Sequence, residues 1–390
     1  MAATPKPAEH RILVLNAGSS SVKFAVFDSE LAAQITGMVG EIGGASTLSV
    51  GSDHQPATAQ THQDAIALIL DVLGRRGIKT HTLSAAGHRV VHGGAKLTEP
   101  VAITSRVLSR IEDCTPLAPL HNPHNLTAIR AIATAAPDLP QFASFDTSFH
   151  ATNPQVATQY AIPDTPETAG IRRYGFHGLS YASLVRCLPE VTGDPLPDRL
   201  LAFHLGNGAS LCAIKGGRSV ATTMGYSPLD GLTMGTRCGG IDANAVLRLV
   251  ELHGLDATKS LLNNESGLLG LSGGKSDMRR LMTDTTAASA FAVDHFCYWS
   301  VRHAGSLIAA MGGVDAIAFT GGIGENAVRV REQILTSLRW TGAVLNADAN
   351  TGGHRRLHAK ASAVAIYVIP AEEERQIAKD TLSLLAEEAA

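Results

Sequence analysis

One pattern, occurring twice, constrains this chain more than any other feature. Arg11 is followed by the apolar run Ile12-Leu-Val-Leu15, the turn Asn16-Ala-Gly-Ser-Ser-Ser21, and a second run from Val22 to Phe27. Two short β-rich runs across a Gly/Ser turn predict a hairpin. The pattern returns 188 residues later as Arg199-Leu-Leu-Ala-Phe-His204, Leu205-Gly-Asn-Gly-Ala-Ser210 and Leu211-Cys-Ala-Ile214. Arg11 aligns with Arg199, Asn16 with His204 and Gly18 with Gly206, with one residue more in the second turn. A second pair, Phe142-Ala-Ser-Phe-Asp146 and Ala316-Ile-Ala-Phe-Thr320, reads as buried strands that each end on a polar turn. Such a duplication predicts two similar α/β domains with a cleft between them, each presenting a Gly-rich hairpin to a shared ligand.

Size agrees with that division, since 390 residues exceed one ordinary core. The expected domains are 10–149 and 150–374, with a C-terminal helix over 375–388 returning to cover the first. Helical periodicity marks 62–73, 243–252, 288–311 and 373–385. Hydrophobic residues make up 45% and charged residues 17%, so disorder is expected only in the first nine residues and the Ala/Glu-rich tail. A net charge of −3 gives no footprint for nucleic acid or an anionic membrane. No run of about 18 apolar residues could span a bilayer, and no targeting segment is visible. Cys114, Cys187, Cys212, Cys238 and Cys297 are scattered without a C-x-x-C pair, which suits reduced thiols in a cytoplasm.

Two motifs are decoys. Gly273-Gly-Lys-Ser276 ends like a P-loop but has Leu269 where the pattern needs glycine. Gly322-Ile-Gly-Glu-Asn-Ala327 matches a dinucleotide fingerprint but sits deep in the chain, and reads as a nucleotide-contacting turn. The turns themselves carry more. Asn16-Ala-Gly-Ser-Ser-Ser-Val-Lys23 gathers an amide, three hydroxyls and an ammonium, groups that cradle phosphate oxygens. With the turns at 205–210 and 320–326, three Gly-rich turns each follow a strand directly, as a split nucleotide site requires. Arg89 in Gly87-His-Arg-Val-Val-His-Gly-Gly94 and Arg237 in Met234-Gly-Thr-Arg-Cys-Gly239 lie among apolar residues and glycines, where guanidinium stays charged and binds carboxylate or phosphate by paired hydrogen bonds. His121 and His177 sit in similarly tight contexts. His121 and His124 do not read as a metal pair, because Pro123 breaks a helix between them, and no Cys/His cluster supports a zinc site. Asp146 ends a strand. The run Glu372–Glu374 reads as a helix N-terminus, or as a carboxylate able to hold Mg²⁺.

Taken together and in order, these motifs, with Pro119-Leu-His-Asn-Pro123 and Arg173-Tyr-Gly-Phe-His-Gly178, resemble the acetate kinases of the acetate and propionate kinase group, over roughly residues 11 to 385. The resemblance implies two duplicated ribonuclease-H-like domains of the actin/Hsp70/sugar-kinase type. It implies a reversible, direct in-line transfer of the ATP γ-phosphoryl group to acetate, giving acetyl phosphate and ADP. Asn16 and Glu373 would hold Mg²⁺, with Mn²⁺ as an alternative. Lys23, Ser19 and Ser21 would lie near the phosphates. His204, Leu205, Gly206, Asn207 and Gly208, then Asp277, Met278 and Arg279, then Gly322, Ile323, Gly324, Glu325 and Asn326 would bind ATP. Arg89 would take the carboxylate, Asp146 would be the catalytic acidic residue, and His177 and Arg237 would stabilise the transferring group. Val91, Leu120, His121, Phe176 and Pro228 would line the acyl pocket. A homodimer is implied as well.

Two stretches depart from the family's usual pattern: Gly240 and Asp242-Ala243 stand where it has Asp and Asp-Pro, and Ala371-Glu-Glu-Glu374 where it has Thr-Asn-Glu-Glu. The alternatives are a propionate or butyrate kinase, an actin-fold sugar kinase, and a non-enzymatic nucleotide switch; dependence of ATP turnover on an added carboxylate separates them.

Overall fold

The computed structural model describes residues 10–388, so the nine N-terminal residues expected to be disordered and residues 389–390 lie outside it. The chain divides into two compact units, one of residues 10–148 with 372–388 and the other of 149–371.

In the first unit, β1 (Ile12–Ala17) and β2 (Val22–Phe27) form an antiparallel hairpin with Ile12 opposite Phe27 and Ala17 opposite Val22. Every residue of the pair is buried except Lys23, which explains their near-continuous apolar sequence. β3 (Ala33–Gly40), β4 (Thr47–Val50) and β5 (Asp53–Pro56) extend the sheet antiparallel on one side. On the other side β6 (Ala85–Val90) pairs parallel with β1, and β8 (Gln141–Phe145) parallel with β6, while the short β7 (Val101–Ala102) closes the edge. The order is β5-β4-β3-β2-β1-β6-β8-β7.

One sheet face packs on the helices His62–Arg75 and Asn122–Ala135, with Leu13, Leu15, Phe24 and Val26 meeting Ile66, Ile69 and Ile132. The first helix starts with a reciprocal capping box between Thr61 and Asp64, which satisfies amides that the helix end leaves unpaired. Against β1, β6 and β8 lies the C-terminal helix Glu373–Glu388. It docks directly on backbone: a Cβ on Gly87 would stand 2.4 Å from Thr381 Oγ1. Pro123 does not break a helix; it lies in the first turn of Asn122–Ala135, where a missing N–H costs nothing.

In the second unit β9 (Arg199–Leu205), β10 (Ala209–Lys215), β11 (Arg218–Thr222), β12 (Ala316–Thr320) and β13 (Ala365–Val368) form a sheet of order β11-β10-β9-β12-β13. β12 runs parallel to both β9 and β13. The helix Gly178–Thr192 covers one face through Tyr181, Leu184 and Leu188, and the long helix Ala287–Met311 packs on β9, β10 and β11.

The segments β3-β2-β1-β6-β8 and β11-β10-β9-β12-β13 share one order and one set of directions, the topology of a duplicated ribonuclease-H-like pair. Two details differ from the sequence reading. β12 corresponds by position to β6, and β8 to β13, so the matched strands at 142–146 and 316–320 are not equivalents. The second hairpin turn is also the shorter one, residues 206–208 against 18–21, because β10 already begins at Ala209.

Burial on β6 has a consequence for acid stability. His88 is fully buried, and burial pushes its pKa from the usual 6.5 down to about 4, with Gln141 beside it opposing weakly. His92, whose Nδ1 accepts the Gly94 amide at 2.9 Å, is pushed to about 4 for the same reason. The unfolded chain takes up protons below pH 6.5 whereas the folded chain resists until about 4. Their contribution is therefore full above pH 6.5 and is lost as pH falls toward 4. At roughly 1.4 kcal/mol per pKa unit, each site amounts to on the order of 3 kcal/mol when fully expressed. Guanidinium unfolding midpoints should fall steeply below pH 6.5, and His88→Asn should flatten that limb. An unchanged limb in the variant would remove His88 as its cause.

Candidate active site

In the first unit, the ends of β1, β6 and β8 and the start of the C-terminal helix bring five polar residues together. Arg89 on β6 donates from Nε to both Asp146 oxygens, at 3.0 and 3.2 Å, and its Nη2 closes the fork on Oδ2. Its Nη1 donates to Asn16 Oδ1 at 3.0 Å, and Asn16 Nδ2 donates to Glu374 Oε1 at 3.0 Å. The Asp146 side chain is 3% exposed and that of Arg89 20%. Burial works against the Arg89 charge, but Asp146, with Glu373 and Glu374, more than offsets it and holds the guanidinium firmly protonated. A guanidinium has five N–H groups, so those not used on Asp146 and Asn16 can meet an anionic ligand.

Glu373, in the first turn of the helix, is pushed up to about 7, first by burial and then by Asp146 and Glu374, with Arg89 and Lys23 opposing. Three carboxylates around one guanidinium form a site short of positive charge. Asn16 Oδ1 and the Glu373 carboxylate are hard oxygen donors of the kind Mg²⁺ takes, along with waters and phosphates. No group of three or more His, Cys, Asp or Glu among the described residues is arranged to hold a metal. The residues present fit the cation. Of the expected pocket residues in this unit, Val91 is buried with its amide on Asn125, Leu120 is exposed, and His121 stands at the N-cap of Asn122–Ala135.

The second unit holds a cavity of about 900 Å³, large enough for a nucleotide. Its walls come from three segments: Gly206 and Asn207 of the β9–β10 turn, Ser276 to Arg279 with Met282, and Gly322, Ile323 and Asn326 to Arg329. Eight residues expected to bind ATP thus line it: Gly206, Asn207, Asp277, Met278, Arg279, Gly322, Ile323 and Asn326. His204, Leu205, Gly208, Gly324 and Glu325 are not among its lining residues. Glu325 in particular turns inward, its Oε1 accepting the amides of Gly321 and Ala371 at 3.1 and 3.0 Å. Arg331, buried with no carboxylate partner among the described residues, donates to the carbonyls of Gly324 and Glu325 and to Asn350. These bonds brace the turn after β12 from behind. Asp277 caps the helix Met278–Thr283 and pairs with Arg279, whose hydrogen bond, ahead of other causes, lowers it to about 2. Sequence reasoning missed Ser276, Met282, Val328 and Arg329. Met282 was findable, being one helical turn beyond Met278.

Beside the same hairpin turn stand His177 and Arg237. A Cβ on Gly208 would lie 3.1 Å from His177 Nε2 and 3.4 Å from Arg237 Nη2, so both side chains close tightly on the turn. His177 has φ +57°, a left-handed conformation unusual for a side-chain-bearing residue, and its ring stacks on His204 at 4.1 Å. Its Nδ1 is bonded to Ser210 Oγ at 2.8 Å. Arg237 Nη1 donates to the Pro228 carbonyl at 2.6 Å, and Phe176 is buried within this unit.

Residues 11–379 match the sequence pattern of the acetokinase family. The chain belongs to that family. Among its relatives, the acetate kinase of Nitrobacter hamburgensis is 45% identical over 389 residues, covering 96% of each chain. That of Halothermothrix orenii is 41% identical, covering 96% of this chain and 99% of the relative. The crystal structure of Porphyromonas gingivalis acetate kinase superposes with a TM-score of 0.88 at 36% identity, covering 96% of this chain and all of that one. A propionate kinase from Francisella tularensis gives 0.89 at 34% identity, covering 95% and 98%. The acetokinase chain is thus an ATP-dependent phosphotransferase on the duplicated α/β fold described above. Of its departures, Gly240 and Ala371 act through backbone amides and Asp242 through its carboxylate. Gly240 donates its amide to the Gly231 carbonyl, Asp242 caps the helix Ala243–His253, and Ala371 contributes only its amide, to Glu325. No described helix is long and apolar enough to cross a membrane.

Proposed function

We propose that this chain is an acetate kinase, catalysing reversible transfer of the ATP γ-phosphoryl group to a carboxylate oxygen of acetate, with ADP as the leaving group. The family match over residues 11–379 carries the reading. Acetate reacts as the anion, so no strong base is needed. Phosphoryl transfer instead asks for in-line placement and neutralisation of the equatorial oxygens.

In this reading Arg89 takes the acetate carboxylate, oriented by the bidentate Asp146, which acts by aiming the guanidinium and not by removing a proton. His177 and Arg237 donate to the transferring phosphoryl group, and Lys23, Ser19 and Ser21 meet the phosphates. The nucleotide occupies the 900 Å³ cavity of the second unit. Asn16 and Glu373 would hold Mg²⁺, or Mn²⁺ in its place, which when bound neutralises phosphate charge. Val91, Leu120, His121, Phe176 and Pro228 set the acyl size limit. A cytoplasmic homodimer completes the reading; apolar Leu247, Leu252, Phe291 and Tyr298, all more than half exposed on the second unit, support a partner copy there.

Propionate is the second candidate acid, favoured by the likeness to the Francisella propionate kinase. One methylene in an apolar pocket is worth only about 1–3 kcal/mol. Hydroxamate trapping of the acyl phosphate with Mg-ATP and acetate, propionate, butyrate or no acid tests the proposal. The expected result is strong trapping with acetate, weaker with each longer acid, and none without acid. Greater trapping with propionate would transfer the assignment to that acid, and no trapping with any acid would end it.

A further inference from the structure

We infer that Tyr181 and Ser210 are positioning residues that lock His177 in the tautomer carrying its proton on Nε2. The inference deepens the reading above, in which His177 donates to the phosphoryl group, and rests on it for its catalytic meaning.

The argument is a proton count along a buried chain. Ser210 on β10 and Tyr181 on the helix Gly178–Thr192 are both fully buried. The Tyr181 hydroxyl lies 2.6 Å from Ser210 Oγ, and Ser210 Oγ lies 2.8 Å from His177 Nδ1. Burial raises the phenol far above its ordinary range, so it keeps its proton. The phenol has one proton to place, and Ser210 Oγ is the acceptor at hydrogen-bond distance. Ser210 therefore receives from Tyr181 and must place its own single proton on His177 Nδ1. The reverse arrangement, Nδ1–H donating to Ser210, leaves a hydroxyl proton unpaired in the interior, which buried polar groups rarely tolerate.

A neutral imidazole whose Nδ1 accepts carries its proton on Nε2. That nitrogen lies at the Gly208 turn beside Arg237 Nη2. Protonating Nδ1 would overturn the whole chain of donors. His177 is thus set as a neutral N–H donor. The opposite tautomer would turn a lone pair toward a phosphoryl oxygen and repel it.

The test uses the full-length protein labelled with ¹⁵N-histidine, with long-range proton–nitrogen spectra and the His177 signals assigned by their loss in His177→Ala. The expected wild-type spectrum shows Nδ1 unprotonated and Nε2 protonated. Tyr181→Phe and Ser210→Ala should each give a mixed tautomer population. Both should lower kcat by about tenfold, with KM for ATP within about twofold, as expected when a transition-state donor is partly lost. A wild-type Nδ1–H signal, or wild-type tautomers in both variants, would overturn the inference. Should His177→Ala turn over normally, the catalytic role of His177 falls, while the spectra still decide the tautomer.

Discussion

Replacing Arg237 with alanine is expected to lower kcat by about 10²–10³-fold while leaving ATP affinity within about twofold, the effect of removing one preorganised donor to a developing anion. The geometry separates the two readouts. Arg237 is not among the residues lining the nucleotide cavity, whose walls come from the turns at 206–207, 276–282 and 322–329. It instead stands over Gly208 with His177, its other arm held by the Pro228 carbonyl. Arg237→Lys should recover only part of the loss, since an ammonium keeps the charge without the planar fork. Steady-state kinetics with a nucleotide-binding titration make the check. Near-normal turnover in the alanine variant would remove Arg237 from the chemistry, and a matching loss of ATP affinity would reassign it to the nucleotide.

The second large effect concerns Asp146. Asp146→Ala leaves Arg89 buried without its bidentate partner. Breaking a buried pair from one side costs about 3–5 kcal/mol, because an uncompensated charge stays behind. Denaturant midpoints should drop accordingly, and turnover should collapse because the guanidinium loses its aim. The double variant Arg89→Met with Asp146→Leu separates the two causes. Replacing both partners by apolar groups of similar size is often neutral for stability, so the double variant should regain part of its midpoint, Glu373 and Glu374 having lost Arg89, yet stay inactive. A single variant as stable as the wild type would sink the account of the pair, and an active double variant would sink its role in catalysis.

Local pattern was legible in the sequence. The β1–β2 and β9–β10 hairpins follow from apolar runs meeting across Gly/Ser turns, and helices such as His62–Arg75 from 3.6-residue periodicity with a cap at Thr61. Which strands correspond between the halves was not legible. β6 reaches β1, and β12 reaches β9, only by parallel pairing across long crossovers, and short apolar strands resemble one another whatever their place. The motifs themselves marked Arg89, Asp146, His177 and Arg237 as candidates. Their partners were decided by tertiary structure: Arg89 meets Asp146 from 57 residues away, and His177 meets Ser210 from 33. Glu325 shows the limit most clearly. Its place in a Gly-rich turn suggested a ligand contact, yet its carboxylate faces inward to hold two amides. Residue type and spacing determine which chemistry a segment can offer. Side-chain direction, and with it the choice between holding a ligand and holding the fold, is fixed only when distant segments pack and compete for the same donors.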